Sequence, residues 1–285
     1  MTSPLNLAIY GLGEAPRPGG ASRSAVTLEE ARASFSLFGK GLSERYLQAR
    51  RLEDAPGFLA DPRRPLPFSN GREVFLPACL DAFDAREDNW RALRLLAAAQ
   101  AEQWEAGSFD RPRPEEVTSL CGRQAWMERG DPLAWILFFL GCFRFPGLAG
   151  DIFFTLEEAR TAASMARRFR GLAADLAWFL ARLRNRLEPL DHRCVLWNLF
   201  FDLVPSPGPA LMGGYPREMF EIAGELVRPQ ARVRDTMRAT VALYRALEPG
   251  LDAALSAGEK ASLEGMDGLF ADTLAGRKGS KPERF

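Results

Sequence analysis

Side chains that commonly carry out catalysis are scarce in this chain, which has one histidine. His192 stands in "LDHRCVLW" between Asp191 and Cys194, so a Cys–His–Asp arrangement is one interpretation. Residues one position apart on a helix point to different faces, however, and Asp191 at the start of this segment is better explained as an N-cap. We therefore predict no catalytic residue here.

Carboxylates are the second source of possible chemistry, because hard cations bind to oxygen ligands. Glu102 with Glu105, or Glu157 with Glu158, stand at helical spacing. Acidic side chains in this pattern are usually solvated, and the sequence has neither an H-E-x-x-H motif nor a Walker A motif. We expect no metal ion and no cofactor. A metal-dependent hydrolase that uses these four carboxylates is kept as an alternative.

The segment "LRLLAAAQAEQWEAGSFD", Leu93–Asp110, predicts an alanine-rich helix that carries several polar residues. On a helical wheel one apolar band is formed by Trp90, Leu93, Ala97, Ala101 and Trp104. Gln100 falls inside this band. We expect it to be buried and bonded to the strand or a neighbouring helix, because an unpaired buried amide costs about 1–3 kcal/mol. Glu102 lies well off the band and Glu105 lies at one of its edges, and both glutamates are expected to face solvent.

The composition is typical of a folded protein, with 285 residues, 47% of them hydrophobic and 26% charged. Thirty-seven basic residues balance 37 acidic ones, which argues against a nucleic-acid partner.

The four cysteines form no C-x-x-C pair and no export signal is evident, so reduced thiols in the cytoplasm are expected. The most apolar run, "PLAWILFFLGCF", is too short for a bilayer and predicts a buried helix, so no membrane partner is expected.

The pattern of apolar residues predicts a mainly α protein, a multi-helix, bundle-like domain with one or a few short strands near residues 72–77 ("REVFLP"). Residues 1–26 are expected to be loose, residues 27–275 to form the helical domain with a possible sub-boundary near 205–214, and residues 276–285 to be a flexible tail. Thr27 is the predicted N-cap of the first helix. Further helices are predicted at 84–106, 114–129, 131–142, 150–187, 191–203, 215–226, 230–247 and 258–275.

Aromatic residues suggest a third kind of function, a helical protein that binds a small ligand. Its cavity would be lined by tryptophans: Trp90, Trp104, Trp126, Trp135, Trp178 and Trp197. Large aromatic side chains more often fill a core, so this is a second alternative.

Two blocks of sequence resemble a known family. The first, "SNGREVFLPACLDAFDAREDNWRALRLLAAAQAEQWEAGSF", has a GR-strand-LP start, an acidic D-x-F turn and a long alanine-rich helix that ends at E-x-G-x-F. The second, Phe153–Leu176, contains Leu156, Glu157, Glu158 and Arg160, then Arg167, Arg168, Phe169, Gly171, Leu172, Asp175 and Leu176. In this order and spacing the blocks resemble the N-terminal region of the NorD/CbbO (CoxE-like) accessory proteins.

The resemblance implies a non-catalytic adaptor. Members of that family usually carry a C-terminal von Willebrand A domain and act with MoxR-class AAA+ ATPases to activate or assemble metalloenzymes. The expected partners are therefore such an ATPase, a von Willebrand A protein or a metalloenzyme client. The expected contact residues are Glu157, Glu158, Arg160, Arg167, Arg168, Arg170 and Asp175.

The chain departs from the family pattern in two ways. It has no D-x-S-x-S metal-ion motif of a von Willebrand A domain, and Thr161 and Ala162 replace a hydrophobic–acidic pair. A fainter likeness to zincin proteases implies a degenerate hydrolase, in which Ala99, Gln100 and Gln103 occupy former ligand positions.

Overall fold

The computed structural model describes residues 23–43, 46–54, 68–122, 134–184, 193–204 and 217–254. Within these ranges the chain forms nine α-helices and five short strands, so the predicted mainly α class is confirmed. The predicted helix 258–275, the tail 276–285, the sub-boundary near 205–214 and most of the N-terminal segment lie outside the described residues.

Thr27 starts the first helix, as its position in the sequence predicts. The Glu30 N–H donates to Thr27 Oγ1 (3.3 Å), and the Thr27 N–H donates to the Glu30 carboxylate (2.9 Å). This reciprocal pair is a capping box, which fixes the beginning of helix α1, Leu28–Ser43. The strand before it, β1 (Val26–Thr27), includes a fully buried Val26, so the prediction that residues 1–26 are loose is wrong at that residue.

The remaining strands form two small sheets with β1. They are β2 (Ala49–Arg51), β3 (Phe68–Ser69), β4 (Val74–Leu76) and β5 (Cys79–Leu80). The predicted strand is β4, which lies between β2, parallel to it, and β3, antiparallel to it. β5 pairs antiparallel with β1, with Val26 opposite Leu80. This pairing brings residues 26 and 80 together.

Eight further helices follow. They are α2 (Arg86–Glu105), α3 (Pro114–Cys121), α4 (Ala134–Leu140), α5 (Pro146–Arg168), α6 (Arg170–Arg184), α7 (Arg193–Leu203), α8 (Arg217–Gly224) and α9 (Val233–Ala254). A 3₁₀ turn, Glu225–Val227, leads from α8 towards α9, and another, Leu52–Asp54, follows β2.

Several predicted helices have different bounds in the structure, and α9 runs to Ala254, beyond its predicted end at 247. The helix predicted at 114–129 ends at Cys121, because Gly122 takes a left-handed conformation (φ 65°) that terminates a helix. The continuous helix predicted at 150–187 is divided into α5 and α6 at Phe169, whose backbone is extended (φ −132°, ψ 98°). α5 also starts earlier than predicted, with Pro146 in the first turn, where proline is favoured.

Helix α2 occupies the centre of the fold. It contacts α1, α5 and α6 as well as both sheets, which together cover the segment from Leu95 to Glu102 on all sides. Every residue from Leu95 to Glu102 is buried. A helix packed on all sides has no polar face, and short alanine side chains let its neighbours approach closely.

Helix α5 is the second central element and contacts α2, α6, α7 and α9. The helix predicted at 131–142 is confirmed as α4, whose Trp135 packs edge-on against Phe153 of α5 with the ring centroids 6.1 Å apart. Among the described helices none has the length and apolar character needed to cross a bilayer.

Candidate functional site

A cleft of about 200 Å³ lies where the C-terminal ends of α2 and α5 meet the connection between α8 and α9. Its walls carry five guanidinium groups, those of Arg160, Arg167, Arg168, Arg228 and Arg232. Two carboxylates, Glu102 and Glu105, face them, and the small residues Ala106, Ser164, Pro229 and Ala231 complete the lining. The excess of guanidinium groups makes this cleft a candidate site for an anion.

Arg160 lies at the base of the cleft and is held by the protein itself. Its Nε and Nη2 donate to the two carboxylate oxygens of Glu157, one helical turn earlier on α5. Its Nη1 donates to the carbonyls of Ala106 (2.9 Å) and Ala231 (3.3 Å), and Nη2 also donates to Ser108 Oγ (3.3 Å). These five bonds match the five N–H groups of a guanidinium, so Arg160 has none left for a ligand.

The Glu157–Arg160 pair stays ionised in the interior. Burial acts to raise the pKa of Glu157, but Arg160 and the hydroxyls of Ser108 and Thr236 outweigh it, and the pKa of Glu157 lies below its ordinary value. Burial likewise acts to lower the pKa of Arg160, and Glu157 more than reverses this effect. The Thr236 hydroxyl donates to Glu157 at 2.6 Å, which joins α9 to α5.

Arg168 forms one wall of the cleft and pairs with Glu102 of α2. Its Nη1 donates to Glu102 Oε2 at 2.7 Å, and its Nη2 donates to the carbonyl of Leu42 at 3.2 Å. Glu105 lies farther away, 3.9 Å from Nη2. Arg168 therefore ties the end of α5 to the ends of α1 and α2.

Glu102 was expected to face solvent, and that prediction is wrong, because its side chain is only 3% exposed. Burial raises the pKa of Glu102, and the Ser164 hydroxyl and the Arg168 guanidinium partly oppose this rise. Its second oxygen, Oε1, is buried and accepts no hydrogen bond from any described residue. The cleft thus contains a buried carboxylate with an unused acceptor.

The other arginines of the cleft form fewer bonds within the protein. Arg167 donates one hydrogen bond to the carbonyl of Val227 (2.6 Å), and Arg228 forms an exposed ion pair with Glu225. The guanidinium of Arg232 is exposed and has no partner within the described ranges. Arg167 and Arg232 can therefore donate to a bound anion without breaking an existing ion pair.

The predicted contact residues separate into two groups. Glu157, Glu158 and Arg160 are buried, 4%, 6% and 2% exposed, so they are not part of the surface and the prediction that they contact a partner is corrected. Arg167, Arg168 and Arg170 are exposed. Asp175, the last predicted contact residue, is also buried. Its carboxylate pairs with Arg91 and Arg94 of α2.

Gln100 is buried, 2% exposed, as its position in the apolar band predicts. Its Oε1 accepts no hydrogen bond from the described residues, so the expected bond to a neighbour is not found for that oxygen. The link between α2 and a strand is made by Trp104 instead, whose indole N–H donates to Ser69 Oγ at 2.7 Å.

Several residues of this region were not identified from the sequence. Ser108 and Thr236 complete the Glu157–Arg160 pair, and Arg228 and Arg232 bring positive charge to the cleft from a distant part of the chain. The only local sign was "VRPQARVR", in which three arginines surround the start of α9.

The other candidate sites from the sequence have different outcomes in the structure. No group of three or more His, Cys, Asp or Glu side chains suited to a metal ion is found among them. Asp191 and His192 lie outside the described ranges, as does the side chain of Cys194. Of the tryptophans, Trp104 and Trp135 are packed in the core, whereas Trp90 lines a second cleft, of about 380 Å³.

Comparisons with protein-family models, with curated proteins and with solved structures each give no match for the chain.

Proposed function

We propose that this protein is a non-catalytic adaptor that binds an acidic partner surface through a cluster of arginines at one corner of its helical scaffold. This arginine face consists of Arg167, Arg168, Arg170, Arg228 and Arg232, all of them exposed. The partner class is a MoxR-type AAA+ ATPase, a von Willebrand A protein or a metalloenzyme client, in line with the family that the two sequence blocks resemble.

The observation that carries the proposal is the meeting of four of these arginines, Arg167, Arg168, Arg228 and Arg232, at one cleft, with Arg170 two residues after Arg168 in the chain. Arg167 and Arg168 end α5, Arg170 begins α6, and Arg228 and Arg232 stand in the connection before α9. The chain as a whole has no net charge, so this local excess is a property of the fold. Clustered positive charge steers an acidic partner and fixes its orientation.

The buried polar network behind the face supports the same role. The Glu157–Arg160 pair and its bonds to Ala106, Ala231 and Thr236 hold α5, α9 and the end of α2 in one arrangement. A preorganised surface loses less entropy on binding than a flexible one.

The test is a binding measurement between the full chain and a MoxR-class AAA+ ATPase from the same source. We expect binding that weakens steeply as the salt concentration rises, because exposed charges are screened. Reversing two guanidinium groups that have no partner in the described structure, in the double variant R170E/R232E, is expected to weaken binding at least tenfold.

The matched control reverses two exposed arginines elsewhere, in R217E/R245E. Arg217 begins α8, and Arg245 lies about 20 Å farther along α9 than Arg232, at 1.5 Å per residue. This variant carries the same change in net charge and is expected to bind like the wild type. Equal loss in both variants, or no binding by the wild type at low salt, would overturn the proposal.

A further inference from the structure

Some hydrogen-bond donors and one acceptor in the arginine-lined cleft have no partner among the described residues. Arg232 has no partner among the described residues, and Arg167 gives one hydrogen bond to a carbonyl. Beside them, Glu102 Oε1 is a buried acceptor without a donor. An unsatisfied buried acceptor is unfavourable, so a ligand that supplies both negative charge and an O–H group would satisfy all three.

The size of the cleft limits the ligand. At about 200 Å³ it is smaller than the 300–1,000 Å³ typical of pockets for larger organic ligands. Six charged groups other than Glu102 line it: Glu105, Arg160, Arg167, Arg168, Arg228 and Arg232. A small, compact anion fits this space and this charge.

We propose that the cleft binds a hydrogen phosphate group, with Arg167 and Arg232 donating to its oxygens and the Glu102 carboxylate accepting a hydrogen bond from its P–O–H. Arginine matches the geometry of phosphate oxygens. The terminal torsion of a glutamate is soft, so the Glu102 carboxylate can turn Oε1 towards the ligand.

The role given to Glu102 distinguishes this site from a general anion site. Sulfate has nearly the same size and shape as phosphate but carries no proton near neutral pH. A sulfate oxygen next to the Glu102 carboxylate meets repulsion, whereas hydrogen phosphate donates a hydrogen bond to it. The geometry therefore predicts selection of phosphate over sulfate, which an arginine cluster alone would not give.

The inference does not depend on the adaptor proposal, and its test uses the full chain alone. Isothermal titration at pH 8 in a low-salt buffer compares inorganic phosphate with sodium sulfate. We expect phosphate to bind at least tenfold more tightly than sulfate. No heat of binding with millimolar phosphate, or equal affinity for both ions, would overturn the proposal, whatever the ATPase experiment shows.

Variants assign the roles within the cleft. R167A and R232A are each expected to weaken phosphate binding at least fivefold, and R245A to leave it unchanged. E102Q is expected to reduce the preference for phosphate over sulfate to less than threefold, because an amide can donate to sulfate. If a circular dichroism melt shows that E102Q is unfolded, the comparison of the two ions with the wild type decides by itself.

The source of the phosphate group is settled by glycerol 3-phosphate, because a phosphomonoester loses its last proton above about pH 6. Binding at pH 6 that is lost at pH 8 supports the proposal and adds esters to the ligand class. Absence of ester binding at both pH values, beside phosphate binding, supports free phosphate as the ligand. Ester binding equally tight at both pH values would contradict the role of the P–O–H group.

Discussion

Arg160 and Glu157 lie one helical turn apart on α5 and neutralise each other inside the protein, 3% and 6% exposed at their side chains. Each also holds another part of the chain, since Arg160 donates to the carbonyls of Ala106 and Ala231 and Glu157 accepts from Thr236. The pair is therefore a junction between three elements, and it forms the base on which the cleft rests.

Replacing Arg160 tests this junction. R160M leaves the Glu157 carboxylate buried without its counter-charge, so we expect a loss of about 3–5 kcal/mol in the free energy of unfolding. The double variant E157L/R160M removes both charges and is expected to be more stable than R160M. Urea unfolding measures both. In the control R238M, which breaks an exposed pair with Asp235, the loss should stay below about 1 kcal/mol.

Asn89 is a second buried polar contact with a specific requirement for an amide. Its Oδ1 accepts from the N–H groups of Ala82 and Phe83, while its Nδ2 donates to the carbonyls of Ser24 and Phe83. N89D keeps the acceptor but places a carboxylate against two carbonyls, so we expect a loss of about 2–3 kcal/mol at pH 7.

The stability of N89D should recover in part at pH 5, because a protonated aspartate can donate again. Thermal melts at both pH values measure this. The control is N70D: Asn70 accepts from the N–H groups of Arg72 and Glu73 through Oδ1, which aspartate can also do, and its stability should change little. Equal losses for N89D and N70D would contradict the argument.

Asp175 joins α6 to α2 by accepting hydrogen bonds from Arg91 and Arg94. Its side chain is 9% exposed, so salt screens these ion pairs only weakly. D175N is expected to cost about 1.5–3 kcal/mol, the range for hydrogen bonds to charged groups. D88N breaks the more exposed pair with Arg182 and should cost less than about 1 kcal/mol. Chemical unfolding of the two variants in parallel tests the difference.

Glu102 gives a prediction about pH. Burial raises its pKa in the folded protein, so folding favours the protonated carboxyl. This contribution to stability is fully present below the unfolded-state pKa of about 4.5 and is lost as the pH rises through the folded-state pKa. Relative to E102Q, the wild type should therefore become more stable as the pH is lowered from 8 to 5, as measured by urea unfolding.

The pKa shift of Glu30 is opposite in direction to that of Glu102. Hydrogen bonds from the Thr27 backbone and hydroxyl lower its pKa, so its contribution is present above the unfolded-state value and is lost as the pH falls through the folded-state pKa. Relative to E30Q, the wild type should lose stability when the series is continued below about pH 4.5, the unfolded-state pKa. If both variants changed in the same direction, the assignment for Glu102 would be wrong.

Local signals in the sequence were sufficient for much of the fold. The Thr27 cap, the strand β4 and the helix α2 each depend on residues close together in the chain, and the sequence predicted all three. The division of α5 from α6 at Phe169 carries no proline and was missed. Its nearest sign is Gly171, two residues later.

The cleft depends on contacts that no local pattern contains. The prediction that Glu102 faces solvent assumed that one face of α2 is exposed. In the structure α5 and Arg168 cover that face. Arg228 and Arg232 come from a connection more than a hundred residues after α2. Only the folded chain brings these charges together.

The enclosure of α2 also determines how this protein exchanges its amide hydrogens. Because α1, α5, α6 and the two sheets cover the segment from Leu95 to Glu102, opening at one side alone does not expose its hydrogen bonds. The amides between Leu95 and Glu102 should therefore exchange only when the whole fold opens, and their exchange rates report the global free energy of unfolding. Native-state hydrogen exchange of this one segment thus measures the stability of the entire domain.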